Sequence, residues 1–540
     1  MLQTAAVIGP EFREAILRAV VDLPEAELAE ALARLVSAEL LHEQELYPEV
    51  EYAFKHPLTQ EVAYGTQLAE KRARTHARVA RALEEAAPDK LEERAALLAH
   101  HCEAAGEALA AARWHSVAAD RASQREVPDA VLHYRRAIAL LDAAPETPES
   151  LALGAETRTS LLTLSIRQRI SEQEIEKLRS EASEMARRSG DARLAVLVVL
   201  AHRFVSVSRG GDVFAAGRDV EEALAAAERL GDRGLQLGAW YVLSFLRSST
   251  DSLESSLPAS DRVLELFDEL GALPRSVPRW IRLPTVLVTR GSVLHLLGRL
   301  AESRADLERG LRVSEERGDL SSVSFIHGTI GDLAETLGDL GLARSSALRA
   351  RDAAAQTGAT TALVRAEYSW GIASLLAGDA REAAAACARA LELIRDSGTM
   401  GFLESQALGS LAHAHARLGD SAAREESLAA VGLLEGRGSG WTRTASAQLD
   451  RARVLRLLDG AAARSEIEAA LHEAERLARE QGHRVSLPFV HEERAELALL
   501  LGDEATRARE LREAQRLFLE MGAPLRAEQI EARLREGSAP

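Results

Sequence analysis

The sequence predicts an all-α chain made mostly of a repeated helix pair, preceded by a small module that contains a β-hairpin. Three observations carry this. Hydrophobic residues make up 46% of the 540 residues and aromatics only 4%, so the core must be built from Ala and Leu, which suits closely spaced helices better than β-sandwiches. Glycines 298, 338, 378 and 419 recur 40, 40 and 41 residues apart, the self-similarity of a repeat architecture. Before about residue 90 that rhythm is missing, and Tyr52, Phe54 and His56 alternate with the period of a strand.

Taken in order, FREAILRAVVD (12–22) predicts a short helix and PEAELAEALARLVSAELL (24–41) a second one. In the latter, Leu28, Leu32, Leu35 and Val36 share one face, and Pro24, Glu25 and Glu27 make a favourable first turn. LHEQEL and VEYAFKH then pair as a hairpin across Tyr47, Pro48 and Glu49. Two helices followed by a two-stranded wing form a winged-helix arrangement. Pro57 restricts His56 to extended geometry and starts the next helix at its preferred first position. In EKRARTHARVAR (70–81), Lys71, Arg74, Arg78 and Arg81 lie along one helical face. That face is either a clamp for an acidic partner or a solvated surface.

The repeats follow. Turns read LGR at 297–299, LGD at 337–339, AGD at 377–379, and LGD at 418–420 and 501–503, with a second glycine series at 318, 358, 398, 438 and 522. Gly190, Gly231 and Gly271 extend the spacing backward. Seven residues before each turn glycine stand Gly291, Gly331, Gly371, Ala412 and Ala495; twelve after stand Gly310, Ala350, Ala390, Val431 and Ala514. Matched small side chains let two helix axes approach closely, and a terminal glycine closes each helix. Each unit therefore reads as helix A, a tight turn, helix B and another turn, with stacked neighbours burying what one pair cannot. This pattern resembles the tetratricopeptide family in its 40-residue form, as in bacterial regulators of the maltose-regulon activator type. The likeness spans roughly 190–525, with less regular pairs from about 91. Seams are expected at 144–150, 250–284 and 436–440. The domains expected are a winged-helix-like module at 1–88, connecting helical pairs at 89–150, a tetratricopeptide-like solenoid at 151–525 and a C-terminal tail at 526–540.

The stretch LQTAAVIGPEF, LARLVSAELLHEQELYPEVEYAFKHPLTQEVAY and RARTHARVARALEE resembles the winged-helix region behind the ATPase domain of bacterial STAND-type signalling ATPases. Those proteins are often fused to adenylate/guanylate cyclase, Ser/Thr kinase or transcriptional output domains, and helical repeats follow the segment there too. The resemblance implies that His56 contacts the phosphate of bound ADP, a role a helix N-terminus suits. A plain structural histidine is the alternative. A P-loop ends in Lys-Ser/Thr, and none of Lys55, Lys71, Lys90 and Lys177 precedes Ser or Thr. ADP or ATP is therefore a cofactor only if a partner or an upstream segment supplies the ATPase domain. Met1 falls inside the family-like segment, which suggests a truncated product, a separate ATPase chain or a degenerate descendant.

Charge and motifs narrow the function. The formal net charge is −17, and residues 1–60 hold eleven carboxylates against Arg13, Arg18, Arg34 and Lys55, so phosphate backbones are repelled. His100, His101 and Cys102 are adjacent on a helix and point in different directions, with no second ligand cluster nearby in sequence, and His413 and His415 stand two apart; no metal site is read from them. No G-x-S-x-G elbow is present, and the two cysteines give no disulfide framework. The longest apolar run, LAVLVVLA at 194–201, is too short to span a bilayer. Trp240, Tyr241, Tyr368 and Trp370 fall on A helices, either lining the concave face or packing between repeats. The expectation is a cytoplasmic, non-catalytic sensor or scaffold of a signalling ATPase system. It binds a protein, peptide or small molecule in the repeat groove, with a STAND-type ATPase, cyclase or kinase as partner. A plain scaffold with a vestigial cap and a winged-helix transcription regulator are the alternatives.

Overall fold

A computed structural model describes residues 1–45, 50–123, 127–209, 212–250, 253–271, 273–274, 276–435 and 444–536. The chain divides into two compact units, Met1–Ser123 with Pro128–Arg158, and Gln124–Val127 with Thr159–Pro540.

The first unit opens with α1 (Leu2–Ile8), β1 (Glu11–Arg13), α2 (Glu14–Val20), α3 (Glu25–Ser37), β2 (Leu41–Glu45), β3 (Glu51–Phe54), α4 (Pro57–Gly65) and α5 (Ala69–Ala86). The strands form an antiparallel sheet in the order β1-β3-β2, with Phe12 opposite Tyr52 and Leu41 opposite Phe54. β1 departs from the expectation of a helix over 12–22. Phe12 stacks on Tyr52 at 5.9 Å and meets Phe54 edge-on at 6.2 Å, and this cross-strand aromatic cluster overrides the helical propensity around it. The expected turn at Tyr47, Pro48 and Glu49 lies outside the described residues. Leu28 and Leu32 of α3 join Val79 and Leu83 of α5 in one core.

Helices α6 (Ala95–Ala104), α7 (Ala108–Ala122), α8 (Val127–Ala143) and α9 (Pro148–Leu164) follow. Between α8 and α9, Thr147 and Ser150 cap each other reciprocally: the Thr147 N–H donates to Ser150 Oγ at 2.8 Å and the Ser150 N–H to Thr147 Oγ1 at 3.1 Å. The helix start is fixed by that pair.

In the second unit the helices alternate as the glycine series predicts. The earlier helices are Glu172–Ser189, Ala192–Ser208, Val213–Arg229, Arg233–Thr250 and Leu257–Leu270. From residue 283 on, the A helices are Leu283–Leu296, Leu320–Leu337, Thr360–Leu376, Glu404–Arg417, Thr444–Asp459 and Ser486–Leu500. The B helices are Leu300–Arg317, Leu340–Thr357, Ala380–Ser397, Ala422–Glu435, Arg464–Gln481 and Glu504–Met521. The LGD turn has a local cause. Its glycine takes the left-handed conformation that ends helix A (Gly338, φ 72°), and its aspartate caps helix B, Asp339 accepting from the Leu342 N–H at 2.9 Å and Asp503 from the Thr506 N–H at 3.0 Å. Val277 and Ile281, from the stretch just before Leu283, pack into one core with Val220, Leu237 and Val263. Gly438 and the seam at 436–440 lie outside the described residues. The segment expected as a tail from 526 is instead largely helical, as Pro524–Glu536, because Ala523, Ala527 and Ile530 bury an apolar stripe among its charges.

This array also returns on itself. The Val485 N–H donates to Leu296 O at 3.2 Å, Gln529 Nε2 donates to Gly338 O at 3.0 Å across 191 residues, and Arg169 Nη1 donates to Asp396 O at 2.7 Å. At a 40-residue period, 191 residues are roughly five repeats. The fold is a tetratricopeptide-like α-solenoid with a small three-stranded sheet near its N-terminus.

Candidate functional site

The coiling of the second unit leaves a partly open cavity of about 140 Å³ whose walls come from successive A helices. Residues three or four apart on each helix face inward together: Asp332 with Glu335, Tyr368 with Ile372, Ser410 with His413, and Asp450 with Arg453. The lining is mostly polar, and most of its charges are paired. Arg365, 3% exposed, reaches Asp332 at 2.6 Å. Arg453 binds Asp450 at 3.0 Å and Glu493 at 3.3 Å, and Arg456 binds Glu493 at 2.7 Å. Arg453 and Arg526 also lie over the Phe489 ring, at 5.7 Å and 5.5 Å.

Burial sets the protonation of this inner face. It pushes the Glu335 carboxyl up to about 7, with Arg453 pulling the other way. Among the described residues Glu335 makes no ion pair. Burial also raises Asp450, an effect Arg453 offsets only in part. Burial would raise Glu493 as well, but Arg456 and Arg453 prevail and hold it low. His413 is driven down to about 3 by burial, with Arg453 adding to the effect, so it is a neutral imidazole. The resulting chamber offers one uncompensated acid, neutral donors and acceptors, and an aromatic wall. It suits binding, and two of its hydroxyls are paired with lining histidines: Ser486 Oγ lies 2.8 Å from His483 Nδ1 and Thr336 Oγ1 2.8 Å from His295 Nε2.

The aromatic candidates separate. Tyr368 lines the cavity, whereas Tyr241 and Trp240 pack into the core of the earlier helices. Trp370 donates its indole N–H to Glu382 at 2.6 Å beneath Arg351. His413 faces the cavity, and His415 turns away to Glu426 at 2.9 Å.

In the first unit, His56 is exposed at the N-terminal end of α4, with φ −133° as Pro57 demands, and its side chain makes no cap hydrogen bond. The basic face of α5 is largely engaged. Arg78 forms two 2.8 Å bonds to Asp22, Arg74 pairs with Glu70, and Arg81 stands 3.8 Å from Glu107; Lys71 is exposed. Cys102 and Cys387 are buried, and burial pushes their thiols up to about 11 and about 12, so neither is an activated nucleophile. His100 and His101 acquire a neighbour that the sequence did not reveal: His76, from α5, whose Nδ1 lies 2.8 Å from that of His101. Burial lowers His76 to about 4 and His101 to about 3.

No family model matches the sequence, and no curated protein does. Solved structures do. A Rap protein complexed with Competence and Sporulation Factor aligns over 70% of this chain and 99% of its own, at 14% identity and a TM-score of 0.50. A Signal Transduction ATPase with Numerous Domains (STAND) protein with a tetratricopeptide repeat sensor, from Pyrococcus horikoshii, aligns over 88% of this chain and 64% of its own, at 12% identity and a TM-score of 0.47. The apo form of RapI aligns over 70% and 97%, at 12% identity and 0.42. At these identities the likeness to the Rap protein bears on fold alone. Among the described residues, no helix is long and apolar enough to cross a membrane.

Proposed function

We propose that this chain is a non-catalytic sensor or scaffold that holds a peptide or protein segment in the inner chamber of its repeats, with a cationic group of the ligand on Glu335. One observation carries this reading: Glu335 alone among the chamber's acids lacks an arginine partner, and burial lifts its carboxyl to about 7. A bound ammonium or guanidinium supplies the missing charge. A pool of random-sequence decapeptides, retained on the protein through gel filtration and sequenced by mass spectrometry, tests it. Retained peptides are expected to be enriched in Lys and Arg, and Glu335→Gln to cut retention about tenfold, on the order of 1.4 kcal/mol. Retention without that enrichment, or equal retention by Glu335→Gln, overturns it.

The same reading extends to a signalling role. We read the order α1-β1-α2-α3-β2-β3 as a winged-helix-like module. It relays ligand capture to a STAND-type ATPase, cyclase or kinase on another chain, which also supplies the ADP or ATP. What supports this is the placement of His56, exposed at the start of α4 beside Leu58 and Val62, which are 72% and 63% exposed. A plain scaffold needs none of these features, and His56→Ala distinguishes the two through loss of nucleotide-linked behaviour in the presence of such an ATPase.

A further inference from the structure

His76, His100 and His101 meet where α5 packs on α6, all within the first unit. Two consecutive residues on a helix point about 100° apart, which argues against a shared site until a third ligand enters from another helix. His76 does so. Its ring centroid lies 5.7 Å from that of His100 and 5.1 Å from that of His101, and the last two are 5.3 Å apart. One nitrogen from each ring lies within 4.8 Å of the other two. Three imidazoles around a tetrahedral ion, with metal–nitrogen bonds of about 2.0–2.1 Å, place their centroids about 5 Å apart. The observed triangle has nearly that size.

Hydrogen bonding within the cluster is incomplete. Tyr64 Oη stands 3.0 Å from His76 Nε2, and His76 Nδ1 2.8 Å from His101 Nδ1. The chain then stops, because His101 Nε2 is buried without a partner, although His101 is only 1% exposed. Whichever tautomers are drawn, one buried nitrogen is left over, at a cost of about 1–3 kcal/mol. A second histidine pair in this unit shows the contrast. His115 bonds His133 Nδ1 at 2.9 Å and Glu103 at 3.1 Å, and Glu103 is itself clasped by Arg136, so both His115 nitrogens are satisfied.

We propose that His76, His100 and His101 form a binding site for a single divalent transition-metal ion of the zinc class, clipping α5 to α6. Neutral imidazoles are the ligating form, and His100, the exposed member, gives the ion its entry path and leaves room for an exchangeable fourth ligand. Ligation replaces the shared Nδ1···Nδ1 hydrogen bond. The proton held there moves to an outer nitrogen, and on His76 that nitrogen already faces the Tyr64 hydroxyl, an outer-shell acceptor that fixes the ring. This site is independent of the chamber in the repeats, so either reading can fail without the other.

The test uses the full chain after dialysis against a chelator, titrated with Co²⁺ and followed by its visible ligand-field bands, then with Zn²⁺ by calorimetry. One equivalent is expected, and Zn²⁺ should raise the melting temperature. His100→Gln, at the exposed member of the cluster, should weaken Zn²⁺ binding about tenfold or more, and His76→Gln likewise, while His133→Gln leaves it unchanged. No stoichiometric binding by the wild-type chain overturns the proposal. So does wild-type affinity in His100→Gln, or a loss confined to His133→Gln.

Discussion

Glu335 and its neighbours show how one chamber sets different charge states on chemically similar groups. Asp332 and Glu493 each have a guanidinium within 2.7 Å, and Glu335 has none. Its carboxyl is raised to about 7 by burial, against an ordinary value near 4.5. Between those two values the folded chain holds a proton that the unfolded chain releases, so this group lowers stability as pH rises from about 4.5 to about 7. Glu335→Gln removes the ionisation. The variant should be more stable than wild type at about pH 8, on the order of 1–3 kcal/mol, with the gap closing towards pH 5. Urea midpoints at the two pH values measure it, and an equal midpoint shift at both would remove the pKa argument. None of this was legible in the sequence. The chamber's residues come from six helices spread over some two hundred positions, and an acidic chain has too many carboxylates for any one to stand out. The same dispersal hid His76 from His100 and His101: adjacency along the chain gave no sign of the three-histidine cluster that packing brings together.

At the scale of the element, the repeat was legible because its signals are local. Glycine φ, the aspartate cap and the 40-residue period are all set within a few residues of each turn. β1 was not legible, since Phe12 becomes a strand residue only through Tyr52 and Phe54, far along the chain. The small residues of the A helices show where local reading stops. Gly331 and Gly371 occupy the same position in successive repeats and look equivalent in sequence. A Cβ on Gly331 meets nothing nearer than Ser369 Cβ at 3.9 Å, whereas one on Gly371 would lie 2.5 Å from Cys387 Sγ, a fully buried atom. Gly331→Ala should therefore be neutral or stabilising by up to about 1 kcal/mol, the helix-propensity gain. Gly371→Ala sets that gain against an overpacking cost of about 1–3 kcal/mol and should be destabilising. Adding Cys387→Ala should restore most of the loss, and a double-mutant cycle on thermal midpoints reads the coupling. Equal effects at the two glycines would mean that helix–helix spacing is looser than these contacts imply.

For the molecule, the consequential feature is that the repeat array of the second unit closes on itself. In an open solenoid each repeat touches only its neighbours, so stability is a sum of local terms and damage stays local. Here one core cluster joins Leu300 and Leu333 to Phe518, Ala527 and Ile530. Beside it, Gly298, at φ 76°, leaves so little room that a Cβ would lie 2.7 Å from Met521 Sδ. The final helix, Pro524–Glu536, thus acts on repeats about two hundred residues earlier. Closure also gives the chamber its walls, since Val485 bonds Leu296 at the seam where the lining residues of the first and last A helices meet. Truncating Ile530 to Ala, at a cost of about 2–5 kcal/mol, should then reduce amide-exchange protection in Leu283–Leu296 and Leu320–Leu337 as well as in Pro524–Glu536. It should also weaken peptide retention, although Ile530 does not line the cavity. An open array predicts loss of protection in the last pair alone and unaltered retention. Hydrogen exchange resolved by peptide separates these outcomes directly, because the affected segments lie far apart in sequence and meet only if the coil is closed.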